Sequence, residues 1–522
     1  MEKFYLTTAI DYVNGAPHIG HAYEKILTDV IARHRKQRGE DVYFLTGTDE
    51  HGIKIQKTAA DRGITPQEIC DENAAKFAQN WKELEINYDQ LIRTTNPKHK
   101  EIVQKIFKKL LDNGDIYKHS YTGLYCSGCE CFLNPRDLDE NGCCPDHKKK
   151  PEEVKEENYF FKLTKYKDKI IEIIKNDETN FIRPDFRRAE VLNQLENIED
   201  ISVSRSTNSV TWGIPVPGDE TQVIYVWIDA LSNYITALGY DTENPSELFK
   251  KNWPANVQVI GKDILKFHSI YWIAILMSLG IELPKNLLAH GWITIDETKM
   301  SKSLGNVISS KSVMDEFGLE YPDAFRYFMV TAAPLGKDGN YSDNDFKEKV
   351  NAHIANNIGN LLNRTLNMLV KYFDGNLEES FKSDDLKASA EEALSDVMSK
   401  FDRFEIAEAA QSIVNLADIT NKYVNDTAPW SLAKEGKNEE CAKVMYNVLE
   451  TMRFIAVLLA PYCPNISQKI WEQLSLDGKA VDFKLAELKW GEIKLGKITE
   501  KEKISPVFLR LDSELAGDKK KC

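Results

Sequence analysis

Tyr5-Leu6-Thr7-Thr8-Ala9-Ile10-Asp11-Tyr12-Val13-Asn14-Gly15-Ala16-Pro17-His18-Ile19-Gly20-His21 is the stretch on which the fold turns. It opens as a β-branched and aromatic run, passes through a Gly/Pro turn, and leads into apolar residues at helical spacing, Ile26, Leu27, Val30 and Ile31. A parallel strand followed by a loop and a helix N-terminus is where open α/β sheets bind nucleotides, because unpaired backbone N–H groups there favour phosphate. His18 and His21 bracket Gly20, whose missing side chain lets a ligand approach the backbone. Taken alone, the same turn also suits two scaffold histidines beside a glycine.

Composition narrows the classes. A chain of 522 residues is long enough for about three domains, and no apolar run approaches the roughly 20 residues that span a bilayer. The first residues run almost directly into a strand, so a leader peptide is not expected and a cytoplasmic location is. A net charge of −14 argues against a protein dominated by non-specific nucleic-acid binding, while leaving room for local basic patches and base contacts. Of nine cysteines, Cys126, Cys129, Cys131, Cys143 and Cys144 crowd one segment. In a reducing compartment such crowding points to metal more than to disulfides.

A second strand, 42–46, ends in Gly47-Thr48-Asp49-Glu50-His51-Gly52, where polar residues are well placed to line a crevice; Asp49 alone also suits a helix N-cap. Thr65-Pro66-Gln67-Glu68 reads as a capping box opening a helix to about residue 84, and another helix fits 97–113 with Gly114 as its stop. From about residue 115 the chain changes character. Cys126-Ser127-Gly128-Cys129 and Cys144-Pro145-Asp146-His147 form a C-x2-C and C-x2-H pair that fits a tetrahedral Zn2+ knuckle, with Cys143 able to replace Cys144. Four protein ligands leave no open position, so such a site braces structure. The α/β pattern resumes over 223–231, with a strand at 257–260 before Gly261-Lys262-Asp263 and a helix bearing Ile264, Phe267, His268, Tyr271 and Trp272, a face that also suits plain core. A strand at 287–289 leads into His290-Gly291-Trp292, and then comes the doubly basic Lys299-Met300-Ser301-Lys302-Ser303. Beyond about residue 341 strands are no longer expected. Amphipathic helices fit 345–373, 388–401, 406–425, 439–459 and 465–474, an α-helical bundle.

His18-Ile19-Gly20-His21 and Lys299-Met300-Ser301-Lys302-Ser303 resemble the two signatures of class I aminoacyl-tRNA synthetases. Their order, the intervening knuckle and the helical C-terminal region are similar to the methionyl-tRNA synthetases, over essentially the whole chain. The resemblance implies an α/β fold: a Rossmann-type parallel-sheet catalytic domain split by a zinc-knuckle connective insertion, followed by an all-α anticodon-binding bundle. The expected boundaries are 1–114 and 223–295 for the two catalytic halves, 115–222 for the insertion, 296–344 for the lysine-loop stem-contact segment, and 345–522 for the bundle and tail. It also implies two steps, methionine plus ATP to methionyl-adenylate and pyrophosphate, then transfer to the terminal adenosine of tRNA(Met), initiator and elongator alike. The first step needs alignment and cationic stabilisation rather than a protein nucleophile. His18, Gly20, His21, Lys299 and Lys302 match the ATP grip, with Glu24, Gly261, Asp263 and His290 along the adenosine and Mg2+ accompanying the nucleotide. Ala9, Ile10, Tyr12, Asp49, Trp227, Ala230, Leu231, Tyr234, Ile264 and His268 match the methionine pocket, Asp49 holding the ammonium. Asn360, Arg364 and Trp430 match the CAU anticodon readers, and Cys126, Cys129, Cys144 and His147 the zinc ligands.

Two features depart from the pattern. Ala9 and Asp11 stand where one branch of the family has proline and tyrosine, and Asp11 adds a charge beside the ammonium site. The insertion is also too short for a separate hydrolytic domain, so rejection of homocysteine falls to the synthetic site. The same shortness weighs against a leucine or valine enzyme. The intact histidines and lysines weigh against a non-catalytic tRNA binder, and the bundle against a small nucleotidyltransferase. With no module expected after the bundle, a monomer is expected.

Overall fold

The computed structural model describes residues 1–126, 131–133, 135, 138–145, 148–176, 181–299 and 307–511, excepting the side chains of 121, 122, 131, 132, 154–156, 298 and 299. Its centre is a seven-stranded parallel sheet. β1 (Lys3–Thr8) lies between β3 (Asp41–Asp49) and the strand Val257–Gly261; beyond these come β2 (Asp11–Tyr12) and β4 (Gln90–Arg93) on one side, and Leu287–His290 and Ile182–Arg183 on the other. Leu6 is opposite both Phe44 and Val257, so β1 is hydrogen-bonded on both edges. Because strand side chains alternate, Phe4, Leu6, Phe44, Val257 and Val259 pack on one face, and Tyr5, Leu45 and Ile260 on the other. Strands buried on both faces are apolar almost continuously, the pattern the sequence shows. The chain winds outward from β1 in both directions, which makes the gap between β1 and Val257–Gly261 the topological switch point, the usual ligand crevice of such a sheet.

Helix α1 (Ile19–Gln37) carries the expected apolar residues Ile26, Leu27, Val30 and Ile31, but burial is not confined to them: 16 of its 19 residues are buried. The sheet covers one side, and the C-terminal helices cover the other, through Phe401 stacked on His34 at 3.7 Å and Gln37 Nε2 donating to the Val457 carbonyl. Beyond α2 (Ile53–Arg62), the expected capping box of Thr65 and Glu68 opens α3 (Pro66–Glu83), and α4 (Pro97–Asp112), capped by Asn96, ends at the expected stop, Gly114, left-handed at φ +71°.

The insertion holds a four-stranded antiparallel sheet and a three-stranded one. Two features of this region differ from expectation. Residues 223–224 end an antiparallel strand, Asp219–Ile224, and do not enter the parallel sheet; the helix Val226–Thr236 follows at once. Ile182–Arg183, from within the insertion, does join the parallel sheet at its edge. Further on, residues 343–373 form one long helical run, as expected, but with a π-helical stretch at Asn351–Gly359. The later helices are Lys387–Asp402, Ile406–Thr427, Pro429–Lys434, Asn438–Leu459 and Pro464–Gln473. Strands do not wholly stop at residue 341, since Asn376–Leu377 pairs with Gly496–Lys497. Among the described residues no helix is long and apolar enough to cross a membrane.

Candidate active site and anticodon face

A cleft of about 340 Å3 opens at the switch point. The ends of β1 and β2 supply Ala9, Ile10, Asp11 and Tyr12, the start of α1 supplies His18, Gly20, His21 and Glu24, and the two strands beyond supply Gly261, Asp263, Ile264 and His290. Four of the ten residues expected around methionine and seven of the nine expected around ATP therefore share one cavity. Gly291 and Trp292 also line it, which sequence reasoning had not assigned.

The first turn of α1 carries no acidic residue, so nothing on the helix itself neutralises its positive end. His18 Nδ1 accepts from the Gly20 N–H at 3.1 Å, and the His18 N–H donates to His21 Nδ1 at 3.2 Å. With both Nδ1 atoms accepting, both neutral rings carry their proton on Nε2 and act as donors there. The rings lie 3.8 Å apart, and Phe77 meets His21 edge-on. Caps and ring contacts thus hold two N–H donors at a helix end, an arrangement suited to an anion.

On the far wall, Glu24 Oε2 is 3.0 Å from His290 Nε2. Burial would raise the Glu24 carboxyl, but the Lys25 ammonium and the His290 contact outweigh it and hold the carboxyl below its ordinary range. Asp263 accepts from Trp292 Nε1 at 3.2 Å, and a Cβ on Gly261 would fall 2.6 Å from the Asp263 carboxylate, so glycine is needed to keep that carboxylate where it is. Asp49 sits opposite Tyr12, itself a cleft residue, in the β2–β3 ladder, and not at a helix N-cap. The backbone between them is tight. A Cβ on Gly47 would lie 2.4 Å from the Ile92 carbonyl and 2.9 Å from Ile10, so Gly47 gives Ile10 its seat.

The other five expected pocket residues are not among those lining the cleft. Ala230, Leu231 and Tyr234 on Val226–Thr236, and His268, are buried, Leu231 and Tyr234 in the core cluster against which Ile264 packs. Tyr234 Oη donates to His268 Nε2 at 2.7 Å while His268 Nδ1–H donates to the Ile264 carbonyl at 2.9 Å. Burial pushes the His268 imidazole down to about 4, which keeps it neutral. Trp227 lies flat against Phe267, 3.7 Å between ring centroids. The same helix carries a group that sequence reasoning passed over. Asp229, 1 % exposed, receives His51 Nδ1 at 2.6 Å and His99 Nε2 at 2.7 Å. Burial would raise its carboxyl, yet the two imidazoles pull it down to about 2. This contact ties the helix to the end of β3 and the start of α4. Its signal in the sequence is weak, since His99 and His51 lie 130 and 178 positions from Asp229.

Two expected elements fall wholly or partly beyond description. Lys299 pairs with Thr294 through its backbone, but its side chain and Lys302 lie outside the described residues, as do Cys129 and His147. Of the expected zinc ligands, Cys126 ends the strand Ile116–Cys126 and Cys144 heads a turn closed by the Lys148 N–H on its carbonyl at 2.8 Å; both are buried, whereas Cys143 is half-buried. Among the described residues no three metal-ligating side chains cluster.

In the bundle, Asn360 is exposed one helical turn before Arg364. Arg364 Nη2 donates to Asn421 Oδ1 at 2.9 Å, and Asn421 Nδ2 donates to Asn357 Oδ1 at 2.6 Å, so an amide relay holds the guanidinium against the helix Ile406–Thr427. One residue, Ala428 at φ +44°, links that helix to Pro429–Lys434 and presents Trp430, 37 % exposed. A left-handed alanine costs roughly 1 kcal/mol, and such strain gathers at functional sites.

The geometry agrees with what the chain is similar to. The family model described as "tRNA synthetases class I (M)" matches residues 4–151 and 140–366, and "Anticodon binding domain of methionyl tRNA ligase" matches 376–498. A methionine–tRNA ligase of Clostridium perfringens is 48 % identical over 481 residues, 91 % of this chain and 73 % of that protein. One from Caldanaerobacter subterraneus is 44 % identical over 526 residues, 100 % of this chain and 81 % of that protein. The Mycobacterium tuberculosis methionyl-tRNA synthetase in complex with methionyl-adenylate superimposes with a TM-score of 0.90 at 36 % identity, covering 98 % of this chain and 100 % of that one.

Proposed function

The chain belongs to the methionyl-tRNA synthetases of class I, and from that premise we propose how its own residues divide the work. The reaction is that of a methionine–tRNA ligase: ATP and L-methionine give methionyl-adenylate and pyrophosphate, and methionine then passes to tRNA(Met). The observation that carries the residue assignment is the single cleft, at the switch point, in which the histidine-capped start of α1 faces the ends of β1 and β2.

In this reading His18 and His21 donate from Nε2 to the ATP phosphates as charge spreads onto them, assisted by the α1 dipole. Lys299 and Lys302 add positive charge to the same phosphates, a task suited to a point charge on a long stem. Mg2+ enters with ATP and offsets phosphate charge. Glu24, Gly261, Asp263 and His290 receive the adenosine, Gly20 and Gly261 leaving room for it. Asp49 takes the methionine ammonium. Ala9, Ile10, Tyr12 and Ile264 meet the side chain first, with Trp227, Ala230, Leu231, Tyr234 and His268 forming the wall behind. A neutral His268 and a Tyr234 hydroxyl already donating to it offer a thioether a polar but uncharged surround.

The knuckle reading assigns Zn2+ to Cys126, Cys129, Cys144 and His147, where bound metal would supply structural bracing and no step of the reaction. The burial of Cys126 and Cys144 and the tight turn at Cys144 suit soft ligands. The domain boundaries follow the same reading, with 345–522 as the anticodon bundle. We also propose a cytoplasmic, monomeric enzyme serving initiator and elongator tRNA(Met) alike, since one CAU anticodon identifies both.

Amino-acid-dependent ATP–pyrophosphate exchange tests the specificity: methionine should drive it and leucine and valine should not. The anticodon assignment has its own test. Stacking on a splayed base contributes about 1–3 kcal/mol, so Trp430→Ala should lower kcat/KM for tRNA(Met) charging roughly 5- to 150-fold while exchange stays unchanged. Equal loss in both assays would return Trp430 to a structural role.

A further inference from the structure

Charged side chains occupy the floor of the cleft where apolar ones would pack more cheaply. Lys25 is fully buried, and its ammonium lies 3.0 and 2.9 Å from the two Asp11 carboxylate oxygens, 2.8 Å from Glu24 Oε1 and 3.0 Å from the Ala9 carbonyl. Its three N–H donors thus have three partners, and the Trp81 ring is 5.7 Å away. Asp11 is 6 % exposed and Glu24 7 %. Burying three ions contributes little net stability, because desolvation offsets the attraction. What such a cluster does provide is orientation.

The oriented segment is 9–12. The Ala9 carbonyl is held by Lys25 and by Thr8 Oγ1 at 2.8 Å, and the Ala9 N–H by the Val259 carbonyl at 3.0 Å. Asp11 and Tyr12 then pair with Thr48 and Asp49 of β3. Through Glu24 the same ammonium reaches His290 on the opposite wall. We propose that Asp11 and Lys25 are a positioning pair for the first step, holding 9–12 in register with Asp49 and joining the methionine side of the cleft to the ATP side. This rests on the reading of the cleft as the methionine and ATP site.

The pair has a pH signature. Burial, with Glu24 pushing the same way and Lys25 opposing, brings the Asp11 carboxyl up to about 7. The charged and titratable groups around it are Lys25 and Glu24 on α1, His18 and His21 at the start of that helix, Asp49 at the end of β3, and His290 and Asp263 across the cleft. The carboxylates raise the Lys25 ammonium, against its burial, so the ammonium stays charged. As pH falls through the Asp11 value, Asp11 takes a proton, the ammonium keeps Glu24 and Ala9, and 9–12 loses one of its ties.

The test uses Asp11→Asn and Lys25→Met in the whole chain, read by methionine-dependent ATP–pyrophosphate exchange. Each single change should raise KM for methionine about tenfold with kcat within about threefold, and the double change should be no worse than the worse single. In the unaltered enzyme KM for methionine should rise between about pH 8 and about pH 6, and Asp11→Asn should flatten that rise. Single variants with unaltered KM, or a double variant equal to the product of the singles, would overturn the pairing. If Lys25→Met does not fold, the two pH profiles decide alone, and matching profiles overturn it. An unaltered enzyme that does not exchange with methionine would fail the functional reading instead, a distinct result.

Discussion

Replacing His21 by alanine should reduce ATP–pyrophosphate exchange by about 10²–10³ in kcat, the loss seen when one preorganised donor is removed from developing negative charge. The expected size follows from what His21 does in the structure. Its Nδ1 is already engaged by the His18 N–H, so the ring cannot rotate without breaking a cap, and Phe77 meets its edge. A donor fixed in this way needs little reorganisation as the phosphates gain charge. His21→Ala also removes the cap, but losing an N-cap contact costs only about 1 kcal/mol of helix stability. The thermal midpoint should therefore move little, and KM for ATP should change less than kcat. His21→Gln, which keeps an amide donor on a longer stem, should recover part of the rate. A loss below about fivefold in His21→Ala would remove His21 from the transition state and leave it as a cap.

How much of this was legible depended on how local each signal was. The strand and turn of 5–21 with the helix that follows them, the capping box at Thr65 and Glu68, and the stop at Gly114 are each set by a few neighbouring residues, and each stands where it was expected. The strand at 223–224 was expected beside the parallel sheet because its composition is that of a buried strand; only tertiary pairing with Ser204–Ser206 and Pro215–Val216 places it elsewhere. Helix α1 misled for a related reason. Ile26, Leu27, Val30 and Ile31 mark one apolar face of an amphipathic helix, and Lys25, Asp29 and Arg33 are charges outside that set. In the structure these are covered too, and the charges are paired internally. Periodicity reports that a helix has a face to bury; it does not report what comes to cover the other one. Asp11 was legible as an added charge, but its partner Lys25 is 14 residues away on a different element and was not. The His51–Asp229–His99 contact escaped for the same reason.

The second large effect concerns that covered side of α1, where the catalytic sheet meets the bundle. Arg326 is fully buried, and its guanidinium donates to Asp29 Oδ2 at 2.6 Å, to the Leu84 carbonyl at 3.0 Å, and to the Pro461 and Tyr462 carbonyls at 3.0 and 3.2 Å. One side chain thereby joins α1, the end of α3, its own helix Asp323–Thr331 and the loop between the last two bundle helices. Asp29 also receives Arg33 Nε at 2.6 Å and the Asn87 N–H at 2.9 Å. Burial would raise its carboxyl, but Arg33 and Arg326 outweigh that and hold it below its ordinary value. Arg326→Met fills similar space while leaving three carbonyls and part of a buried carboxylate without donors, so it should cost about 3–5 kcal/mol. In a chain of several domains that cost should appear as a split in denaturant unfolding, the bundle melting before the sheet. Methionine-dependent exchange should survive, since the cleft residues do not touch Arg326, while tRNA charging should fall with the lost seating of the bundle. The pH sign follows from the depressed carboxyl. Asp29's contribution is complete above its unfolded value near about 4 and is lost as pH falls through the lower folded value. Arg326→Met, which weakens that depression, should therefore show a smaller stability loss on acidification than the unaltered chain. A single cooperative transition at the unaltered midpoint would mean that the carbonyls found other donors and that the bundle is held to the sheet by apolar packing alone.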